Sequence, residues 1–156
     1  MLKFSRLADY ALLVVHALGQ GAQARMTATQ VATHSDLPLP TVRKILSLLL
    51  IGGVVTSVPG VKGGYSLKST LGEVTLLQVL RAIEGDWGIT DCQQTSSHAS
   101  DCLYKGNCHL KHSWSVVNSW LMQMLSQVTM TQMVDGLGEH PFNQILMSKL
   151  SEEAEA

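Results

Sequence analysis

The chain has 156 residues, 46% of them hydrophobic and 15% charged, with a formal net charge of −1. That length holds one core, or one small domain with an appended helical element, and the near-neutral charge excludes a nucleic-acid contact made by the mean field, so any such contact needs a local patch. The longest apolar stretch, Ile45 to Val58, is interrupted by Ser47, Gly52, Gly53, Thr56 and Ser57 and is shorter than the ~20 helical residues of a bilayer span, so no membrane segment is expected.

Residues 5–18, SRLADYALLVVHAL, place Leu7, Ala11, Val14, Val15 and Leu18 on one face and predict an amphipathic helix that stops near Gly19 to Gly21. His16 on this helix reads as a packing residue. Thr27, with Gln30 three residues later, is a capping-box pair that starts a short second helix. Pro38 and Pro40 in SDLPLP end it with a tight turn, since proline fixes φ and biases the preceding residue away from the helical region. Pro40 suits a first helical position, and residues 41–50 carry Val42, Ile45, Leu46, Leu48 and Leu49 opposite Thr41, Arg43, Lys44 and Ser47.

Gly52 and Gly53 end that helix. The β-branched run 54–58 and the segment 64–67 read as strands, and PGVKG between them supplies a hairpin turn. Helix, turn, helix, hairpin is the order of a winged helix-turn-helix, so the expected class is mainly α with a small β-hairpin wing. A further helix is predicted over 73–83, ended by Gly85. From Trp114, a seam of Trp114, Val117, Leu121, Met124 and Val128 alternates spacings of three and four. Such a helix either pairs with a second copy or folds back on its own domain. The expected organisation is a DNA-binding domain over residues 1–85, a metal-binding segment over 86–112, a dimerisation helix over 113–135 and a frayed tail over 136–156.

The three cysteines, Cys92, Cys102 and Cys108, all fall within GITDCQQTSSHASDCLYKGNC. An odd number cannot close into a full set of disulfides, and no N-terminal stretch reads as a secretory signal, so reduced thiols in a cytoplasmic protein are expected. Soft thiolates select iron–sulfur clusters, zinc or copper(I). The spacing C-x9-C-x5-C lacks the close pairs usual in structural zinc, which makes zinc the weaker reading. Three cysteines leave a tetrahedral site one ligand short. The candidates for the fourth are His98, His109, His112 and, from far in sequence, Asp9; His109 directly follows Cys108 and is sterically awkward, which makes His112 the best local one. No Gly-rich phosphate loop, HExxH helix or nucleophile elbow is present, so enzymatic activity is not expected.

The opening KFSRLADYALL, the segment TATQVATHSDLPLPTVRKILSLLLIGGVVTSVPGVKGGYSL, the RAIEG element and the three-cysteine segment together resemble the Rrf2 family of bacterial transcription regulators, over residues 1 to about 130. Within the family the chain is most similar to the branch that regulates SUF-type iron–sulfur assembly. The resemblance implies a homodimer paired through the long helix, a double-stranded DNA operator, and an iron–sulfur cluster on Cys92, Cys102 and Cys108. In the iron–sulfur cluster regulator a histidine three residues after the last cysteine completes a 2Fe-2S site, but that position here is Lys111, with His112 one further. In the nitric-oxide-sensing branch a first-helix aspartate from the partner completes a 4Fe-4S site, and Asp9 matches it. The 2Fe-2S form is favoured and 4Fe-4S is the alternative; a zinc-stabilised or thiol-switched DNA binder without a cluster is the second reading.

For DNA, Thr41, Arg43 and Lys44 are the polar residues of the recognition helix, with Arg43 suited to a guanine edge and Lys44 to a phosphate. Relatives often carry a wing arginine where this chain has Pro59, so Lys62 supplies the wing charge. Arg6 and Lys3 at the start of the first helix are candidate phosphate contacts.

Overall fold

The computed structural model describes residues 4–21, 25–90 and 108–137. Helix α1, Arg6–Gln20, begins where the Ser5 side chain accepts the N–H of Ala8. Helix α2, Ala28–Ser35, carries the expected reciprocal box: Thr27 N–H donates to Gln30 Oε1 at 2.8 Å and Gln30 N–H to Thr27 Oγ1 at 3.3 Å. Asp36 ends it in the left-handed region, with φ 53° and ψ 38°, a conformation a short polar side chain tolerates. Helix α3, Leu39–Ile51, starts one residue before Pro40, so the proline sits second, still within the turn whose N–H groups have no helical partner.

Strands β1, Val55–Val58, and β2, Gly64–Leu67, pair antiparallel with Val55 opposite Leu67 and Val58 opposite Gly64. Met26 adds a third edge: its N–H donates to Tyr65 O at 2.9 Å and Tyr65 N–H returns to Met26 O at 2.8 Å. Gly64 allows that approach. Its φ is 149°, and a Cβ there would lie 2.7 Å from the Met26 carbonyl oxygen.

Helix α4 spans Leu76–Glu84 and starts later than the predicted residue 73. Two competing start signals explain the difference. Thr70 and Glu73 form a closed turn, with Thr70 N–H and Oγ1 both donating to Glu73 Oε2 at 2.9 Å, and only Thr75, boxed with Gln78, caps the helix. These hydrogen bonds from Thr70, backbone first, hold the Glu73 carboxyl below the usual carboxylate range.

The long helix expected over 113–135 is two helices. Helix α5 spans Lys111–Gln127; Val128 is extended, and Thr129, boxed with Gln132, caps α6, Met130–Asp135. The break carries Val128 and Thr129 back to α4. Leu76 N–H donates to Val128 O and Met130 N–H to Val74 O, both at 2.8 Å, which makes a Thr75–Thr129 bridge.

The main core joins α1, α2, α3 and the wing base through Val14, Val15, Val31, Val42, Ile45, Leu46, Leu49 and Val55, closed by Met130 of α6. A second cluster, Ala8, Leu77, Leu80 and Leu125, seats α5 on α4 and the start of α1. Burying each such side chain contributes roughly 1.5–3 kcal/mol.

Candidate nucleic-acid interface and cysteine segment

The four buried side chains of α3, Val42, Ile45, Leu46 and Leu49, set its rotation and leave Arg43, Lys44 and Ser47 exposed. Thr41 is half-buried beside them. The wing presents Lys62 and a fully exposed Val61 at its tip. Arg6, the first residue of α1, is exposed; Lys3 lies outside the described residues. Among the described residues the ion pair is Arg81 with Asp86, at 3.8 Å, and no described acid pairs with Arg6, Arg43, Lys44 or Lys62.

At the other end, Cys92, Cys102 and His98 lie outside the described residues. Cys108 is a free, half-buried thiol just before α5, and its carbonyl accepts Lys111 N–H at 3.4 Å. His109 and His112 are exposed, His112 as the second residue of α5, and Asp9 is exposed in the first turn of α1. Among the described residues no three metal-ligating side chains converge. The donor set as a whole still suits iron or another thiophilic metal, because every cysteine of the chain falls between positions 92 and 108.

Helix α5 shows an open apolar face. Leu110 is 62% exposed and Trp120 64%, with Trp114 and Val117 exposed between them. The predicted seam therefore splits. Val128 is buried and Leu121 and Met124 are half-buried, toward the helix's own domain, whereas Trp114 and Val117 face outward. No helix among the described residues is long and apolar enough to cross a membrane.

The sequence model of the Rrf2 family, described as an iron-dependent transcriptional regulator, matches residues 4–136. The chain belongs to the Rrf2 family. It is 27% identical over 111 residues to the Rrf2-like HTH-type transcriptional regulator of Rhodobacter capsulatus, covering 70% of this chain and 74% of the relative. It is 22% identical over 139 residues to an HTH-type transcriptional regulator of Aquifex aeolicus, covering 89% and 96%. Among solved structures, CymR (YrzC), the global cysteine regulator of B. subtilis, superposes with a TM-score of 0.62 at 20% identity, over 86% of this chain and 98% of that one. IscR of T. potens superposes with a TM-score of 0.60 at 21% identity, over 86% and 87%. The winged-helix fold is common to these Rrf2 proteins.

Reading this Rrf2 sequence by pattern misses two cations and three contacts. Arg25 and Lys68 are exposed and flank the wing, before Met26 and after β2. With them, residues 25–68 hold Arg25, Arg43, Lys44, Lys62 and Lys68 against one acid, Asp36. From residue 86 onward the balance reverses, with Lys105, Lys111 and Lys149 against eight acids. Counting charge by segment finds the basic stretch that the net charge hides. The contacts are Ser5 with Glu84, Phe4 with Trp87 and Ile89 with Asn118; they join residues far apart in sequence, and only Glu84, inside RAIEG, carried any local signal.

Proposed function

We propose that this Rrf2 regulator binds operator DNA as a homodimer, holds an iron–sulfur cluster on Cys92, Cys102 and Cys108, and controls iron–sulfur assembly or stress genes in the cytoplasm. The observation that carries the reading is the confinement of all three thiols to the segment leading into α5, in a family described as iron-dependent. A 2Fe-2S cluster is favoured, with His112 as fourth ligand; completion by Asp9 of the partner would make it 4Fe-4S. Both side chains are exposed and open to that role. When bound, such a group supplies a redox-responsive centre whose potential follows its ligands and hydrogen bonds.

The chain's own residues do the rest. Leu110, which caps α5, and Trp114, Val117 and Trp120 within it bury against a second copy, since an apolar strip of this kind is costly to leave in water. Arg43 reads a base edge, and Lys44, Lys62, Arg6 and Lys3 hold phosphates, with Arg25 and Lys68 adding to the field. Pairing through α5 sets two recognition helices about one helical turn of DNA, ~34–36 Å, apart. A change at the cysteines shifts α5, and with it the fit to the two half-sites.

The test is an absorption spectrum with iron and sulfide analysis and Mössbauer spectroscopy on anaerobically purified protein. Visible bands with about two irons per subunit support the 2Fe-2S form, and about four the 4Fe-4S form. Lys111, standing where a histidine would complete a 2Fe-2S site, favours one other reading, a thiol- or zinc-based switch. A protein that stays colourless after reconstitution, with zinc or no metal, overturns the cluster and leaves that reading standing.

A further inference from the structure

The chain leaving α4 toward Cys92 is fastened three times on the way. Glu84 Oε1 accepts the N–H of Ser5 at 2.9 Å. Trp87 lies edge-on to Phe4, with ring centroids 5.1 Å apart and planes at 77°. Ile89 N–H donates to Asn118 Oδ1 at 3.1 Å. The first two hold the residues that lead into α1 just ahead of Arg6; the third holds the middle of α5.

Two of the three are hydrogen bonds to backbone N–H groups, and the third is an edge-to-face ring contact. The Ser5 hydroxyl already caps α1, so Glu84 engages the backbone N–H of the cap residue itself and ties the helix start to the end of α4. Asn118 is a weak helix former in a helix interior, and its side chain serves a backbone donor 29 residues away in sequence. Trp87 packs with Ala8, Leu77, Leu80 and Leu125, and among the described residues its buried Nε1 has no hydrogen-bond partner. Helix α1 in turn packs on both α2 and α3, so a displacement of its start is delivered to the helix-turn-helix through a rigid element.

We propose that Glu84, Trp87 and Asn118 are positioning residues that couple the cysteine segment to the start of α1 and to α5, so that a change at the thiols is felt at Arg6 and along the recognition unit. This deepens the proposed function and rests on it. It differs from a route through α5 alone, because it gives the segment a hold on the DNA-binding domain of its own protomer.

A double-mutant cycle on the full-length, anaerobically purified protein tests it, with DNA affinity read by fluorescence anisotropy on a duplex selected from random sequence. Cys92→Ser in the parent is expected to change affinity about tenfold, and in an Asn118→Leu background by less than about twofold. Asn118→Asp, which keeps a side-chain acceptor for Ile89 N–H, restores the response. Glu84→Ala and Trp87→Leu blunt it, with Glu84→Gln as the conservative control. Thermal midpoints recorded for every variant separate uncoupling from unfolding. A cysteine response of full size in the Asn118→Leu, Glu84→Ala and Trp87→Leu backgrounds overturns the coupling and leaves the sensor reading standing. No response to Cys92→Ser in the parent overturns the sensor reading, and the coupling with it.

Discussion

Helix α3 has 13 residues and wholly buries Val42, Ile45, Leu46 and Leu49, whereas α5 has 17 and buries only Leu125. The same contrast runs through their surroundings. The recognition helix is held by α1, α2 and the wing, and the wing is itself braced by Met26; α5 rests on α4 at its C-terminal half and leaves its N-terminal half apolar and open. The DNA-reading half is thus preorganised by its own chain, while the half that follows the cysteines leaves Trp114, Val117 and Trp120 exposed. Order in the first lowers the entropy cost of binding DNA. The exposed face of the second is what the proposed pairing with another copy would cover.

Truncation should separate the halves most sharply. Leu46→Ala is expected to cost about 2–5 kcal/mol in urea unfolding, because the cavity lies in a core that cannot collapse. Trp120→Ser should leave the monomer within about 0.5 kcal/mol of the parent but abolish self-association in analytical ultracentrifugation. Equal losses of stability from the two variants would erase the distinction. Next in size, Arg43→Ala should cost about 1–3 kcal/mol of operator affinity and relax one base position, whereas Lys62→Ala should weaken all sequences alike and reduce the salt slope by about one. Gly64→Ala places a Cβ against the Met26 backbone at a φ of 149° and should cost roughly 1–3 kcal/mol, with the wing the first element to lose hydrogen-exchange protection. Thr27→Ala removes the α2 cap for about 1 kcal/mol.

The smallest effect concerns pH. The Glu73 carboxyl is held low by the Thr70 hydrogen bonds, so its contribution is present above the ordinary carboxylate pKa and is lost as pH falls below about 4. In Glu73→Gln that increment of acid sensitivity should vanish from the stability profile, and an unaltered profile would mean the turn does not matter to folding.

Local signals carried the DNA-binding half into view. The Thr27–Gln30 box, the two prolines, the apolar face of α3 and the glycine-rich hairpin turn are all short-range patterns, and each element they predict is present. Where two local signals competed, the reading slipped: Thr70–Glu73 and Thr75–Gln78 both look like helix starts, and only the second is one. The break after α5 had a signal of its own in Thr129–Gln132, masked by the apolar residues that continue through it. Met26 pairing with Tyr65, and Asn118 reaching Ile89, had none, because long-range contacts leave no periodic trace. The clustering of Cys92, Cys102 and Cys108 is legible in the sequence, whereas the proposed fourth ligand, His112 or Asp9 of a partner, turns on three-dimensional approach that no pattern within one sequence encodes.

The bridge between Thr75 and Thr129 has one more consequence. By joining the start of α4 to the end of α5, it seals the DNA-binding domain across everything between them. The entropy of closing such a chain rises only with the logarithm of its length, by about 0.6 kcal/mol for each doubling. The length of chain between the two threonines therefore bears only weakly on the cost of closing the bridge. The seating of Met130 in the main core is therefore set by this bridge rather than by the length of the chain that precedes it.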